Sequence, residues 1–584
     1  MRRQPGAIGM KGPRDVRRVL LIGGYGGFGA RIATRLAQEG WDVLVAGRSV
    51  AKAQAFCDGR PGLTPLALDR DRDLPEALAR WNPFAVVDAA GPFQVTGDDV
   101  PRACIKAGCH YLDIADGRDV VAGIGTLDEA ARAAGVCVIS GASSVPGLSG
   151  AAVRSLVAGR GLSAGRAPAA GMEEVRAVEI AISASNRATA GLSVTRAILS
   201  YVGRPIQLWR SDRWSAGYGW QDLRQLTFEV SGLPPVGPRL VALADIPDLE
   251  LLPDRLPGRP AVVFRAGTEF ALQNLAVWLL SWLVRWRLLA SLVRFGPALI
   301  RFQRAFSSLG SDRSAMVVRI FGLSEGERIE RRWTLIAQDG AGPEIPGLAV
   351  PILLDRLARG TLAPGATDAG GLLALDEFQP AFARLSIRHE TVEIEQPAPL
   401  YRRVMGERFE TLPGSVRALH EVLRDGGASG RSVVTRGQSF LARFVASLIG
   451  FPPAGEHALN VSFAERGGVE TWTRDFGSHQ FRSRLSRQGR FLVERFGLLQ
   501  FAFDLPSTPQ GLSMVMRRWW LGPLPLPLGL APRTVAREWE EDGRFRFDVA
   551  ISLPVAGLLV HYRGWLTPSQ TAPMEVGVLS RQPG

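Results

Sequence analysis

The chain has 584 residues, of which 46% are hydrophobic and 21% charged. That balance is globular, and the length calls for about three domains. The formal net charge of +13 comes almost wholly from arginine, since Lys11, Lys52 and Lys106 are the only lysines. The arginines form no long basic run and no recognition motif accompanies them, so the charge argues for no nucleic-acid partner. Four cysteines in a chain of this length exclude a disulfide scaffold.

The N-terminus, MRRQPGAIGMKGPRD, is basic but has no apolar h-region. Residues 1–15 are expected to be a disordered tail rather than a signal peptide, and the expected location is cytoplasmic. The first folded segment reads RVLLIGGYGGFG at 18–29. Val19 to Ile22 is the short apolar run of a buried parallel strand. Gly24, Tyr25, Gly26, Gly27, Phe28 and Gly29 follow as G-x-G-x-x-G, with Gly23 just before. ARIATRLAQEG then places Ile32 and Leu36 one helical turn apart, with Gly40 as a stop. Strand, glycine turn and helix in this order predict a dinucleotide site on a Rossmann-type βαβ unit. Gly24 permits the turn, Gly26 lets the backbone approach a pyrophosphate, and Gly29 lets helix and strand pack closely.

The second strand is predicted over Asp42 to Arg48. An NAD site usually ends it with an acid that bonds the ribose 2′-hydroxyl; here Arg48 and Ser49 stand there. A guanidinium suits a 2′-phosphate, so NADP(H) is the expected cofactor. A third strand is predicted at 63–68, ending at Asp69, and a fourth at 85–90. Asp69, Ala90, Gly91 and Pro92 should face the cofactor from the carboxyl ends of these strands. A fifth strand is predicted at 136–140. Cys104, Cys109 and His110 could suggest a metal or redox site, but no second ligand pair follows, and no metal is expected.

Several segments together resemble the saccharopine-dehydrogenase-like oxidoreductases: GGYGGFG at 23–29, VAGRS at 45–49 and VVDAAGPFQVTGDDVPRACIKAGCHYLDIADG at 86–117. VCVISGASSVPGLSG at 136–150 and GRPIQLWRSDRW at 203–214 also match, and more loosely QDGAGPEIPGLAVPILLDRLARG at 338–360. The resemblance implies the fold and cofactor better than the reaction. His110, Tyr111 and Asp113 fall in the matching HYLD segment. They could supply a proton during hydride transfer. Alternatively, Tyr111 and Leu112 are strand core and Asp113 holds a turn.

Residues 146–390 are expected to form a mixed α/β substrate domain, with strands at 174–183, 226–230, 261–264, 315–321 and 332–337. Helices are predicted at 195–201 and 351–359, the latter packing back towards the nucleotide domain. Residues 275–302 read LAVWLLSWLVRWRLLASLVRFGPALIRF. Arg285, Arg287 and Arg294 interrupt it, which argues against a spanning helix. Trp278, Trp282 and Trp286 share one helical face, the composition of a helix lying at a membrane surface. Burial against the domain or a second subunit is the competing expectation.

After about residue 395 the composition changes. Helices are predicted at 415–423 and 440–449, then nine strands between 459 and 565. Gly467-Gly468 and Asp542-Gly543 supply hairpin turns. An antiparallel meander, closed into a barrel or wrapped on a helix, is expected over 400–570, with an interior able to hold an apolar ligand. Trp472-Thr473-Arg474-Asp475-Phe476-Gly477, Leu524-Pro525-Leu526-Pro527 and His561-Tyr562-Arg563-Gly564-Trp565-Leu566 resemble a family of unknown function found fused to saccharopine-dehydrogenase-like proteins. Arg474, Glu494, Glu538, His561 and Arg563 either point into a pocket or form local ion pairs.

The fold class expected is α/β: a Rossmann-type parallel sheet at 16–145, a mixed second domain, and a C-terminal antiparallel β domain. The function expected is an NADP(H)-binding oxidoreductase acting on an unidentified small substrate, with apolar and lipid-like molecules among the candidates. The alternative is a non-catalytic nucleotide-binding scaffold whose β domain binds lipid or a partner. Peripheral contact with the inner membrane face through 275–302 and a homodimer are further expectations.

Overall fold

The computed structural model describes residues 15–95, 97–162, 169–187, 191–305 and 307–568. The tail expected at 1–15 lies, save for Asp15, outside them. The N-terminal strands are β1 (Asp15–Ile22), β2 (Asp42–Gly47), β3 (Leu63–Ala67), β4 (Pro83–Asp88), β5 (His110–Asp113) and β6 (Cys137–Ser140). They pair in parallel in the order β3-β2-β1-β4-β5-β6. Val19 to Ile22 are buried, as a strand covered on both faces requires. Leu20 sits between Leu44 and Val86 in the ladder, Ile22 between Ala46 and Asp88. These registers bring the ends of β1, β2 and β4 to one edge of the sheet.

Helix α1 (Gly29–Gln38) buries Ile32, Ala33 and Leu36 against this sheet. Arg31 and Arg35 both reach Glu344 at 3.0 and 2.9 Å. The helix Ala349–Ala358 packs beside α1, which is the return to the nucleotide domain expected for 351–359. The chain then adds Gly365–Asp368 as a seventh parallel strand beyond β6. Residues over two hundred positions downstream thus complete the first sheet.

The second sheet has seven strands, in the order Arg224–Phe228, Val236–Leu243, Ala261–Thr268, Glu174–Ala184, Ser314–Ser324, Glu327–Ala337 and Ile387–Glu395. Only the pair 174–184 with 261–268 is parallel. A separate hairpin joins Pro205–Arg210 to Arg213–Tyr218. Residues 275–302 do not form one helix. Ala271–Arg285 and Gly296–Ala305 are two helices joined through a turn. Val284 and Leu292 pack into a cluster with Leu199, Val202, Trp220 and Ala242. The opposite side exposes Leu272, Leu279, Trp286 and Leu288. No helix among the described residues is long and apolar enough to cross a membrane.

The C-terminal domain is a closed antiparallel barrel of ten strands that follow one another in sequence. Asp425–Arg436 and Gly557–Pro568, the first and last, pair with each other and close it. Leu499–Asp504 pairs with Gly511–Leu521 across a short excursion. The nine strands expected from the sequence are all present, and the tenth is the closing strand Asp425–Arg436. Its sequence, DGGASGRSVVTR, reads as a loop because of its glycines. The structure explains them: a Cβ at Gly430 would collide with the Trp565 carbonyl, and one at Gly427 would meet Ser211 at 2.6 Å.

The barrel is fastened to the second domain by an ionic cluster. Arg424 donates twice to the buried Glu179 carboxylate, at 2.8 and 2.7 Å. Arg466 lies at 3.0 Å and Arg319 at 3.5 Å from the same carboxylate. These guanidinium groups outweigh burial and hold Glu179 well below the usual carboxylate range. Close by, the Ser211 amide donates to Asp425 at 2.7 Å, yet burial pushes this carboxyl up to about 7.

Candidate functional site

The glycine turn forms at the end of β1. The Gly23 and Gly24 amides both donate to the Ala46 carbonyl, at 2.8 and 3.3 Å. Gly23 has a positive φ of 75°. The Gly26 amide returns to the Gly23 carbonyl at 2.9 Å, and Ala30 N–H to Gly26. A Cβ at Gly29 would collide with the Gly23 carbonyl, so only glycine lets α1 start there. Gly27 has open space around its Cα. No side chain caps α1 at Phe28 and its first turn carries no acid. The uncapped helix start and the positive end of the helix dipole fit a pyrophosphate. A Cβ at Gly27 would enter the open space beside the turn, whereas at Gly23, Gly24 and Gly29 it would meet the chain's own atoms, so the turn keeps this path only with glycine and leaves room for a dinucleotide.

Tyr25 closes one side of the turn. Its ring lies over Gly47, where a Cβ would meet the ring at 2.5 Å. Its hydroxyl accepts a hydrogen bond from the Ser49 amide at 3.0 Å, and the Ser49 hydroxyl caps the next helix by accepting from the Lys52 amide. Arg48, between Gly47 and Ser49, is exposed. Its charge helps to keep the nearby Asp69 carboxylate below its usual range, after the Asp71 amide and the Arg72 side chain. The turn residues 23–29, Arg48, Ser49 and Asp69 therefore gather at one edge of the sheet.

The end of β4 is polar beneath the surface. The buried Asp88 accepts from the Ala90 amide at 2.8 Å and from Arg70 Nη1 at 2.8 Å. Arg70 Nη1 also donates to the Ala90 carbonyl at 2.9 Å. Burial outweighs the Arg70 charge and pushes the Asp88 carboxyl up to about 6. This pair fixes the path of Ala90, Gly91 and Pro92, which turn directly beside Gly23.

The structure sets His110 apart from Tyr111 and Asp113, whose side chains hydrogen-bond to each other. His110 opens β5, so it lies at the end of the strand away from the glycine turn, roughly 10 Å of strand from Asp113. Its ring packs edge-on to Phe84, and Nδ1 accepts from the Cys137 amide at 3.0 Å. Tyr111 is core, and burial raises its hydroxyl well above the usual phenol range. Asp113 sits at the correct end but is already committed. It accepts from the Ser140 hydroxyl, the Gly141 amide and the Ala115 amide, at 2.7–2.9 Å. It is an anchor that joins the ends of β5 and β6. The alternation of a strand, which the sequence does show, assigns His110 and Leu112 to one face and Tyr111 and Asp113 to the other. Cys104 and Cys109 are likewise core, with the Cys109 thiol donating to the Cys104 carbonyl at 3.7 Å. Among the described residues no group of three acids, histidines or cysteines could hold a metal ion.

Three polar residues that the sequence reading passed over do converge at the carboxyl ends of β4 and β5. Gln94 Nε2 donates to Asp116 Oδ1 at 3.0 Å, and Gln94 Oε1 is buried without a hydrogen-bond partner. Burial raises the Asp116 carboxyl. The Tyr201 hydroxyl, from the second domain, is raised by its burial and then by the charges of Asp116 and Asp245. Arg118 ties the two domains beside them, donating to the Gln207 carbonyl at 2.7 Å and to Glu250. No local pattern in the sequence marks this cluster, whose members come from three separate segments.

Residues 19–139 match the family model of the saccharopine dehydrogenase NADP binding domain. Residues 412–566 match a domain of unknown function, DUF4166. The chain thus carries the fusion that its motifs resembled, and the matches support an NAD(P)-binding oxidoreductase whose substrate they leave open. Among solved structures, the amine dehydrogenase from Mycobacterium smegmatis is 11% identical, covering 61% of this chain and 95% of that one, with a TM-score of 0.33. The yeast methylglyoxal/isovaleraldehyde reductase Gre2 complexed with NADPH is 18% identical over 16% of this chain and 37% of its own, TM-score 0.15. The Bordetella bronchiseptica enzyme WbmG in complex with NAD is 22% identical over 16% and 36%, TM-score 0.15. The chain spans 36–38% of the length of the first such structures it matches. Scores this low carry no argument about substrate. No curated protein matches the chain.

Proposed function

We propose that this protein is an NADP(H)-dependent oxidoreductase acting on a small molecule held between the carboxyl ends of β4 and β5 and the second domain. The observation that carries the cofactor choice is Arg48, exposed at the end of β2 where an NAD site places an acid. An exposed guanidinium there pairs with a 2′-phosphate, and the fixed Tyr25–Ser49 contact keeps the turn that presents it. A nicotinamide held there would supply hydride transfer to or from the substrate. Asp116 and Tyr201 are the groups poised to hold a proton there, both being raised by burial, and Gln94 Oε1 has an unfilled acceptor site for a substrate donor.

Arg48→Ala tests this reading without knowledge of the substrate. NADPH affinity, followed by fluorescence of the bound nicotinamide, should fall about 10- to 100-fold, the loss of a charge-assisted contact worth about 1.5–3 kcal/mol. NADH affinity should change less than about threefold. Equal losses for both would remove the NADP(H) assignment. Cofactor binding with no hydride exchange onto any carbonyl or imine would favour the scaffold reading instead.

The helical pair 271–305 supports a second role, contact with an anionic membrane surface. Leu279 and Trp286 are 61% and 62% exposed, and the exposed Arg287 and Arg294 flank them.

A further inference from the structure

The C-terminal barrel encloses a cavity of about 160 Å³. An apolar cavity of roughly 150 Å³ accommodates a molecule the size of benzene. The segment 400–420 plugs one end of the barrel, burying Leu400, Tyr401, Met405, Phe409, Val416 and Leu419. At the other end the helix Phe440–Ile449 lies across the mouth. Its inner residues Val445 and Ile449 line the cavity. Its outer residues Phe440 and Leu448 are 80% and 78% exposed. Val549, Ile551, Leu553 and Leu559 make the mouth side mostly apolar, with Thr534 beside Ile551.

The plug side is polar. Arg474, Glu494 and Glu538 all face inward, so the pocket and the local ion pairs foreseen for them are the same arrangement. His561 instead pairs with Asp548 at 2.8 Å, and Arg563 is exposed. Arg474 Nη1 donates to the Ser483 hydroxyl at 3.0 Å, and its guanidinium lies over the Trp472 ring. Glu538 pairs with His420 Nε2 at 2.7 Å. Beneath them Glu470, buried, accepts from Trp472 Nε1 at 2.9 Å.

Two features specify what this space accepts. First, Glu494 Oε1 is buried, lines the cavity and makes no hydrogen bond. Its nearest cationic atom, Arg474 Nη2, is 3.5 Å away. A buried acceptor left unfilled is unfavourable, and a ligand donor relieves it. Second, Arg474 is the one cation among the described residues lining the cavity, and it is already shared between Ser483 and Glu494. An incoming carboxylate would meet Glu494 and Glu538 with no free cation to receive it, and buried like charges repel.

We infer that the barrel interior binds a neutral apolar molecule bearing a hydroxyl, with its hydrocarbon body against the mouth side and its O–H donated to Glu494 Oε1. The site is separate from the nucleotide cradle, and its test does not depend on the cofactor. The full chain should bind benzyl alcohol saturably by titration calorimetry, at a concentration at least about tenfold below that of benzoate. Glu494→Gln, which keeps the shape but removes the charge, should shrink that preference to about threefold or less. Ala536→Trp, which fills the cavity wall, should abolish saturable binding of the alcohol. The alcohol-to-acid ratio is read on the unaltered protein, so it stands whether or not the tryptophan variant folds. Binding of benzoate at equal concentration, or unchanged alcohol binding in a folded Ala536→Trp, overturns the inference.

Discussion

The nucleotide cradle and the barrel cavity are both sites for small molecules, but they are built in opposite ways. The cradle is made of backbone: glycines whose missing side chains leave room, and an uncapped helix end. Polar side chains beneath it, Asp88, Arg70 and Asp113, are satisfied internally and serve as bracing. The barrel reverses this. Its backbone is spent entirely on the closed ladder, and the recognition falls to side chains, one of which keeps an open acceptor. A backbone site is intolerant of any added atom; a side-chain site is tuned by exchanging one group for another. The sharpest test of that contrast is Gly29→Val. The Gly23 carbonyl occupies the space its side chain needs, so α1 cannot start in place. NADPH affinity should drop more than about 100-fold, while benzyl alcohol binding by the barrel stays within about twofold. Loss of both would mean that the two sites share one folding unit, and the contrast would fail.

The joint between second domain and barrel decides how independent the two regions are. Glu179 is buried among Arg319, Arg424 and Arg466. Removing one partner of such a cluster leaves like charges buried and costs about 3–5 kcal/mol. Glu179→Leu should therefore loosen the barrel, read as proteolytic release near residue 424 and a lowered melting transition, with NADPH affinity unchanged. The pH response separates two neighbouring carboxyls. Glu179 is held low, so its stabilisation is complete above the unfolded carboxylate value of about 4.3 and is lost as pH falls below it. Asp425 is pushed up to about 7, so it favours the joint when protonated and its contribution is lost as pH rises from about 4 to about 7. Asp425→Asn should flatten the melting profile between these limits. An unchanged slope would place the titrating group elsewhere.

The same contrast explains what the sequence disclosed. A backbone site leaves a spaced pattern, and Gly24, Gly26 and Gly29 with Arg48 could be read directly. Alternation over 459–565 announced the barrel strands, because each has one face in the core. Closure was hidden, since the closing strand Asp425–Arg436 owes its glycines to neighbours that crowd it, Trp565 and Ser211, and these are far away in sequence. The seventh strand of the first sheet, Gly365–Asp368, was hidden for the same reason. Pairing partners that meet only in three dimensions leave no local mark. Asp116, Gln94 and Tyr201 belong to this class too: each is unremarkable in its own segment and acquires an environment only where two domains meet.

The helical pair 271–305 tests whether a third region works by neither rule. Its inner face is ordinary core, with Val284 and Leu292 buried against Trp220 and Ala242. Arg285 is held by the Gln221 side chain at 2.6 Å and lies over the Tyr218 ring, so it braces the hairpin rather than serving a partner. Leu272, Leu279, Trp286 and Leu288 remain outside with Arg287 and Arg294. Leucines alone would suit a second copy of the chain. Tryptophan and arginine interleaved with them suit the boundary between anionic headgroups and acyl chains. If that boundary is the occupant, flotation with vesicles containing phosphatidylserine should carry the intact protein up, and Leu279→Asp should reduce the bound fraction about three- to tenfold, as partial burial of one leucine predicts. Neutral vesicles should bind less at low salt, and 0.5 M salt should narrow the difference. A Leu279→Asp variant that instead loses a dimer in sedimentation, with no vesicle binding by either protein, would assign this face to a second subunit.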